Sequence, residues 1–288
     1  MTAQAGSGQA RADEADANWA KEHGAAAGQA DADRGDANRS ATNQTEIAQT
    51  AVGQAVISQT GTCRLTRAPH PSFRLIPSRF PPIGLFDTVA TAADMAAAME
   101  LAGWTNDRLV AERVARLPRE DWVHGRPNAS IVMAAFLHVP PGGNRFNGQD
   151  LGAWYAAAAF PTAAAEVAHH LRREAVATGQ PIMCRQYRTY QARLDGQFRD
   201  IRGERALRPE AYDPLSYLGS QIFGEAIRSG GGAGIVWDSL RHAGGICAVS
   251  YRPRTVLDIV QTDHVEITVT ARLPRIEVRR LAAQPPTH

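Results

Sequence analysis

The chain has 288 residues, 44% of them hydrophobic, and a formal net charge of +2 at pH 7, so it can form one sizeable core or two small ones. Residues 1–60 carry eight acidic and four basic side chains, which leaves +6 on the remainder, far below the basic footprint of a nucleic-acid-binding protein. The three cysteines form no metal-type pair or disulfide framework, and no apolar stretch resembles a signal peptide or could span a membrane, so we expect a cytoplasmic protein.

The first 60 residues are rich in Ala, Gln, Asp, Gly, Ser, Thr and Asn and contain few bulky apolar side chains. A segment of this composition cannot bury enough surface to offset the conformational entropy of the chain. We therefore expect residues 1–60 to be a low-complexity, disordered tail. The ordered domain is expected to occupy residues 72–282.

The ordered part is expected to begin with a short strand near Ser72, followed by a turn at Pro81 and Pro82. Capping and stop residues then predict two helices, Thr91–Gly103 and Thr105–Leu117. Together these two helices form a predicted helical insertion at about 88–118.

The middle of the chain begins with the apolar run Ile131–Val139. Periodicity cannot decide whether this run is a buried strand or a helix. Pro140–Gly143 predicts a turn, and Gly152–Phe160 predicts a strand. Thr162 is the predicted N-cap of a helix that ends at about Ala177.

The last third of the chain alternates strands with one helix. Met183–Leu194 predicts a strand, and Asp213 with Pro214 is expected to begin a helix that ends at Gly230. The predicted apolar face of that helix consists of Leu215, Leu218, Ile222 and Ala226. Further strands are predicted at Ile235–Trp237, Ile246–Tyr251 and Val265–Val269. These elements indicate a mixed α+β fold in a single domain.

Four residues in the middle of the chain attract attention as a group: Arg145 and Phe146 in a glycine-rich loop, Tyr155 at the end of an apolar run, and Glu166 eleven residues later. Each has an ordinary structural explanation, such as a carboxylate in the first turn of a helix or a core aromatic. However, a strand followed directly by a helix can bring Tyr155 and Glu166 to one edge of a cleft.

Two other kinds of site fit the sequence less well. Glu166 is followed by His169 and His170, but a hydrolytic metal needs about three protein ligands, and no second Glu-x-x-His copy is present. We therefore expect no metal, with His170 facing the cleft or paired with a carboxylate, and with His169 solvated. A serine hydrolase would need a Gly-x-Ser-x-Gly elbow, which neither Ser220 nor Ser239 has.

Seven segments, taken in order, resemble the RES-domain family, which is named for its Arg, Glu and Ser residues. They are FRLIPSRFPPIGLFD, WTNDRL, ASIVMAAFLHV, NRFNGQDLGAWYAA, TAAAEVAHHLRRE, YDPLSYLGSQIFGEAIRSGG and GIVWDSLRHAGGICAVSYRP. They span about 73–254, which is nearly the whole predicted domain. The resemblance implies an α+β fold similar to ADP-ribosyltransferase toxins of the diphtheria-toxin kind.

The same resemblance implies an activity and a partner. The chain would be the toxin of a type II toxin–antitoxin pair, a glycohydrolase or phosphorylase that cleaves NAD+ as its substrate without a metal. The alternative is a mono-ADP-ribosyltransferase that modifies a protein target. The partner would be a small helix-turn-helix antitoxin that blocks the active site.

Carried over residue by residue, the resemblance assigns catalytic roles to four residues, namely Arg74, Tyr155, Glu166 and Ser239. It assigns contacts with the dinucleotide to Arg145, Phe146, Ser220, Gln221 and Arg241. Asn144 replaces the glycine that usually precedes the second arginine of the family. Of the two serines we expect Ser239 to contact the substrate, because a loop at a strand end reaches a cleft more easily than a position inside a helix.

The chemistry explains why such residue types are needed. Cleavage of the nicotinamide–ribose bond passes through an oxocarbenium-like state, which a carboxylate such as Glu166 stabilises. Arg74 and Arg145 are suited to the pyrophosphate, since the only lysine is Lys21 in the tail. Tyr155 and Phe146 would form a flat wall for the nicotinamide ring. A catalytically dead binding module would be expected to lose the arginine or the glutamate, and both are present.

Overall fold

The computed structural model describes residues 53–79, 86–88, 91 and 113–282. Most of the predicted tail and of the predicted helical insertion lies outside these ranges. The chain divides into two compact units, Met1–Gln54 and Ala55–His288, and everything below concerns the second. Residues 113–116, the described end of the second predicted helix, are helical, and this helix ends before Pro118 as expected.

The strands among the described residues of this unit form one nine-stranded sheet. In chain order its strands are β1 (Arg64–Thr66), β2 (Ser72–Pro77), β3 (Trp154–Ala157), β4 (Ile182–Leu194), β5 (Phe198–Asp200), β6 (Gly234–Asp238), β7 (Ile246–Ser250), β8 (Val256–Thr270) and β9 (Ile276–Arg280). Their order across the sheet is β1-β5-β6-β7-β3-β2-β4-β8-β9. All neighbours are antiparallel except β5 and β6.

Three helices that lie fully within the described residues cover both faces of the sheet: α1 (Ala129–Leu137), α2 (Phe160–Ala177) and α3 (Leu218–Ser229). Side chains of α1 pack with one face, and those of α2 and α3 pack with the other. The mixed α+β class predicted from the sequence is therefore confirmed. No helix in the described ranges is long and apolar enough to cross a lipid bilayer.

The ambiguous apolar run is resolved as helix α1. All its residues except Ala134 are buried, and a helix buried all round has no polar face to produce a 3.6-residue period. Strands β2 and β4 lie where the sequence predicts them, and β3 is shorter than the predicted Gly152–Phe160. Strand β1 lies before residue 72, outside the predicted ordered domain, and pairs with β5.

Two predicted helix starts are wrong. Helix α2 follows Ala159, so Thr162 is an internal residue rather than the N-cap; its hydroxyl lies 2.9 Å from Nδ1 of His242. Glu166 is then the seventh residue of α2. It lies beyond the first turn, so the helix dipole does not explain a carboxylate at this position.

Helix α3 begins at Leu218 rather than at Asp213. The Asp213 carboxylate accepts hydrogen bonds from the backbone N–H groups of Leu215 and Ser216, which makes a turn instead of a first helical turn. Leu215 is 94% exposed. The buried face of α3 consists of Ser220, Phe223, Gly224 and Ile227, not the predicted one.

The sheet is weakest between β2 and β3. These strands share a single register pair, Phe73 with Ala157, whereas β2 is paired with β4 from Ser72 to Pro77 and β3 with β7 from Trp154 to Ala157. The two strands therefore diverge, and side chains from both reach the same cavity.

Candidate functional site

A pocket of about 290 Å³ opens where β2 and β3 diverge. Five of the nine predicted site residues line it, namely Arg74, Arg145, Tyr155, Glu166 and Arg241. Its walls also contain residues that the sequence did not single out, including His138, Tyr217, Trp237 and Cys247. Three arginines and one glutamate give the lining a positive balance, which suits an anionic ligand.

Glu166 and Ser239 form the central hydrogen bond of the site. The Ser239 hydroxyl donates to Oε1 of Glu166 at 2.6 Å, and its oxygen accepts from the backbone N–H groups of Arg241 and His242, both at 3.0 Å. Because these two N–H groups occupy the lone pairs of Ser239, its proton points to the carboxylate. Ser239 is only 3% exposed, so it positions Glu166 from behind the pocket wall.

Replacing Ser239 with alanine is expected to lower kcat of the reaction proposed below about tenfold, since it removes one hydrogen bond to the carboxylate without removing its charge. The matched control is Ser220→Ala, because that serine is equally buried and donates only to the backbone oxygen of Tyr217. Steady-state kinetics should be used to measure kcat for both variants. An equal loss in the two would contradict the role assigned to Ser239.

The Arg74 guanidinium has no carboxylate partner among the residues that the structure describes. Its Nη1 donates to the backbone oxygen of Tyr155 at 3.0 Å, its Cζ lies 4.8 Å from the centroid of the Trp154 ring, and its Nε has no hydrogen-bond partner among the described residues. The residue keeps some accessible surface at the pocket, but burial lowers its pKa to about 10. It stays protonated at neutral pH, and a buried cation without a counter-ion favours binding of an anion.

Arg145 is held by the turn that precedes α3. Its Nη1 donates to the backbone oxygen of Asp213 at 2.9 Å, and its Cζ lies 4.7 Å from the ring centroid of Tyr217. Burial lowers the pKa of Arg145, and the nearby Tyr217 opposes that shift. The guanidinium is thus fixed by backbone and aromatic contacts, and its charge is left for a ligand.

The Tyr155 hydroxyl is occupied by the loop that carries Arg145. It donates to Oδ1 of Asn147 at 2.8 Å and accepts from the backbone N–H of Phe146 at 2.9 Å, and burial raises its pKa. Phe146 itself is fully buried, with its ring centroid 4.8 Å from that of Trp237. Phe146 is not among the lining residues; it lies behind the wall that it was expected to form.

Ser220 and Gln221 also lie outside the pocket lining. Ser220 is fully buried on α3. The Gln221 side-chain amide donates to the backbone oxygens of Gly142 and Asn144, at 2.7 and 2.9 Å. Gln221 therefore supports the loop before Arg145, and Ser220 donates only to the backbone oxygen of Tyr217.

Gly224 lets α3 approach this loop closely. A Cβ atom at this position would overlap the backbone oxygen of Phe146 and the hydroxyl of Tyr251, which are themselves hydrogen-bonded at 2.9 Å. Gly224→Ala is therefore expected to lower the free energy of unfolding by about 2 kcal/mol, despite the higher helix propensity of alanine. Urea denaturation of the wild type and the variant measures this change. An unchanged or higher free energy of unfolding would show that α3 and the loop with Phe146 can move apart without loss of stability.

The pocket holds several groups that could not be recognised from sequence. The Cys247 thiol lies 3.6 Å from Oε1 of Glu166, and burial, followed by the charge of Glu166, raises its pKa. His138 follows α1, and burial lowers its pKa. Trp237 is only 5% exposed and contacts both Phe146 and Tyr155 edge-on. These residues come from separate elements, and only the fold brings them together.

The two histidines after Glu166 differ in their surroundings. His170 lines the pocket, as expected, and burial lowers its pKa, an effect that Glu166 opposes. His169 does not line the pocket and is half-buried rather than solvated, and burial together with nearby Arg241 lowers its pKa to about 4. Within the described ranges no three His, Cys, Asp or Glu residues are grouped closely enough to hold a metal ion.

Comparison with known proteins adds three findings. A family model described as RES domain matches residues 113–270, more than half of the chain. No curated protein matches. One similar solved structure is a chain of the M. tuberculosis MbcT-MbcA toxin-antitoxin complex, which is 13% identical to this chain, and the match covers 72% of this chain and 91% of that chain with a TM-score of 0.40.

Proposed function

Because the chain belongs to the RES-domain family, as its motifs predict, we propose that it cleaves the nicotinamide–ribose bond of NAD+. The observation that carries the proposal is one pocket in which Glu166, oriented by Ser239, lies among three arginines. None of these arginines forms an ion pair with a carboxylate of the described residues. A dinucleotide supplies two phosphates for the cations and a ribose for the carboxylate.

In this proposal Glu166 acts on the ribose. As the bond to nicotinamide lengthens, positive charge develops on the anomeric carbon, and a carboxylate stabilises it. The leaving group departs neutral, so no strong general acid is needed. Ser239 and Cys247 both contact Oε1, so Oε2 remains for the ribose hydroxyls or for the incoming acceptor.

Arg74 and Arg145 bind the pyrophosphate in this proposal. Both are guanidinium groups already fixed by backbone oxygens and by an aromatic ring. A pre-positioned fork loses little conformational entropy when it binds phosphate oxygens. The burial of both guanidinium groups further strengthens the attraction.

The nicotinamide ring requires an apolar wall. Tyr155 and Trp237 both line the pocket, with ring centroids 6.1 Å apart, and we assign the wall to these two residues. Trp237 thereby takes the role that the sequence suggested for Phe146. Aromatic contacts of this kind contribute about 0.5–1.5 kcal/mol beyond the area they bury.

The acceptor distinguishes three reactions at this site. The purified full chain is incubated with NAD+ radiolabelled in its ADP-ribose part, with and without inorganic phosphate and with and without added protein acceptors. Separation of the products then identifies free ADP-ribose, a phosphorylated ADP-ribose or a labelled protein. The first two products support a glycohydrolase or a phosphorylase. Label on a protein would instead support the mono-ADP-ribosyltransferase. Intact NAD+ in every condition would reject the proposed function.

We extend the proposal to the biological role that the family resemblance implies. The chain would act in the cytoplasm as the toxin of a toxin–antitoxin pair, with an ADP-ribosyltransferase-like fold, and a helix-turn-helix antitoxin would cover the pocket. Expression of the chain should then arrest bacterial growth, and Glu166→Gln should relieve the arrest. Growth arrest of equal depth with the variant would reject NAD+ loss as its cause.

A further inference from the structure

One stripe of α2 leads from the pocket to the protein surface. Glu166, His169, His170 and Arg173 are spaced at i, i+3, i+4 and i+7, which places them along one face of the helix. At 1.5 Å per residue, the seven-residue interval from Glu166 to Arg173 spans about 10 Å along the helix axis. Arg241, on the loop after β6, lines the pocket together with His170. We call His169, His170, Arg173 and Arg241 the rim cluster.

The rim cluster has positive charge without a counter-ion. Neither Arg173 nor Arg241 forms an ion pair with any described carboxylate, and the acidic residue beside Arg173 on α2, Glu174, is bound by Arg185 at 2.6 Å. After burial, the groups that lower the pKa of His169 are all basic, beginning with Arg241. The surroundings are therefore positive, and they extend outward along α2 from the pocket that Arg74 and Arg145 line.

We propose that the rim cluster is a second anion subsite, which binds a phosphate monoester of the substrate in addition to its pyrophosphate. The inference rests on the proposed function and sharpens it, because the preferred substrate class becomes a dinucleotide with an extra phosphate, such as NADP+. Guanidinium groups suit a phosphate dianion. The two imidazoles can donate further hydrogen bonds or gain a proton when the anion binds.

Distance favours a phosphate of the substrate over a phosphate acceptor. A reacting atom must come within about 3–3.5 Å of the anomeric carbon, and hence close to Glu166. Arg173 lies two helical turns away along α2. The outer part of the cluster can therefore hold only a group remote from the bond that is cleaved.

The test compares kcat/KM for NADP+ and NAD+ in the wild type and in Arg173→Gln, Arg173→Lys and Arg67→Gln. We expect the wild type to prefer NADP+ about tenfold, as one charge-assisted contact at a partly exposed site would produce. Arg173→Gln should remove most of that preference and Arg173→Lys should restore part of it. Arg67→Gln, an exposed arginine outside the pocket, should keep the wild-type ratio.

A wild-type preference for NAD+, or a ratio that Arg173→Gln does not change, would overturn the second subsite. If the wild type consumes neither NAD+ nor NADP+, the proposed function itself is rejected. A titration with inorganic phosphate separates the two sources of the anion. If Arg173→Gln weakens stimulation of NAD+ loss by phosphate while the NADP+ ratio stays fixed, the subsite belongs to free phosphate and the inference is wrong.

Discussion

Replacing Glu166 with glutamine is expected to lower kcat for NAD+ cleavage by about 10³-fold. Glutamine keeps the size of the side chain and can still accept the hydrogen bond from Ser239, but it carries no charge to stabilise the developing cation. Removal of one such pre-organised electrostatic contact costs about 10²–10³ in other enzymes. KM for NAD+ should change little, because the positive charge on the ribose develops only in the transition state.

The matched control for this variant is Glu225→Gln. Glu225 also sits on a helix and accepts a hydrogen bond, from the backbone N–H of Gly148 at 2.9 Å, but it does not line the pocket. Nicotinamide release and the thermal midpoint should be measured for both. A loss of activity in Glu225→Gln as large as that in Glu166→Gln would indicate a general effect of carboxylate removal and contradict the assigned role.

The second large effect is expected from Arg74→Lys, which should lower kcat/KM for NAD+ by about 30-fold. Lysine keeps the positive charge but lacks the planar fork that contacts Tyr155 and a phosphate together. Removing a charge-assisted hydrogen bond of this type costs roughly 1.5–3 kcal/mol, or about 10- to 100-fold. The loss should appear chiefly in KM, since the pyrophosphate keeps its charge throughout the reaction.

The control is Arg126→Lys, another partly buried arginine whose guanidinium donates to a backbone oxygen, that of Val256, at 2.8 Å. It lies outside the pocket lining. Calorimetric binding of NAD+ to both variants, made in the Glu166→Gln background to prevent turnover, isolates the binding step. Unchanged affinity in the Arg74→Lys protein would show that the pyrophosphate is bound elsewhere.

Local sequence signals predicted the elements that carry the site. Strand β2, with Arg74, and helix α2, with Glu166, follow from alternation, from helical spacing and from short connections. The interval from Tyr155 to Glu166 crosses one strand end and two helical turns, so both residues could be expected at the same cleft edge. The family motifs added Ser239, which does contact Glu166.

Other features depend on long-range packing and could not be predicted. Phe146 stands in a glycine-rich loop that is typical of a ligand-binding site, yet its side chain is fully buried. The backbone of Phe146 packs closely against Gly224 of α3. Trp237 and Cys247 look like ordinary strand residues, and only the pairing of β6 with β7 places them beside each other. Leu215 was expected on the buried face of α3, but the Asp213 turn places it before the helix.

Proton NMR of the purified full chain with NAD+ tests the central claim most directly, because it follows release of nicotinamide in real time without a coupling enzyme. The account predicts that free nicotinamide appears in proportion to NAD+ loss with the wild type, and that the Glu166→Gln protein releases it about 10³-fold more slowly. Cleavage at the pyrophosphate, with nicotinamide still attached to ribose, would contradict it. Equal rates in the two proteins would do the same.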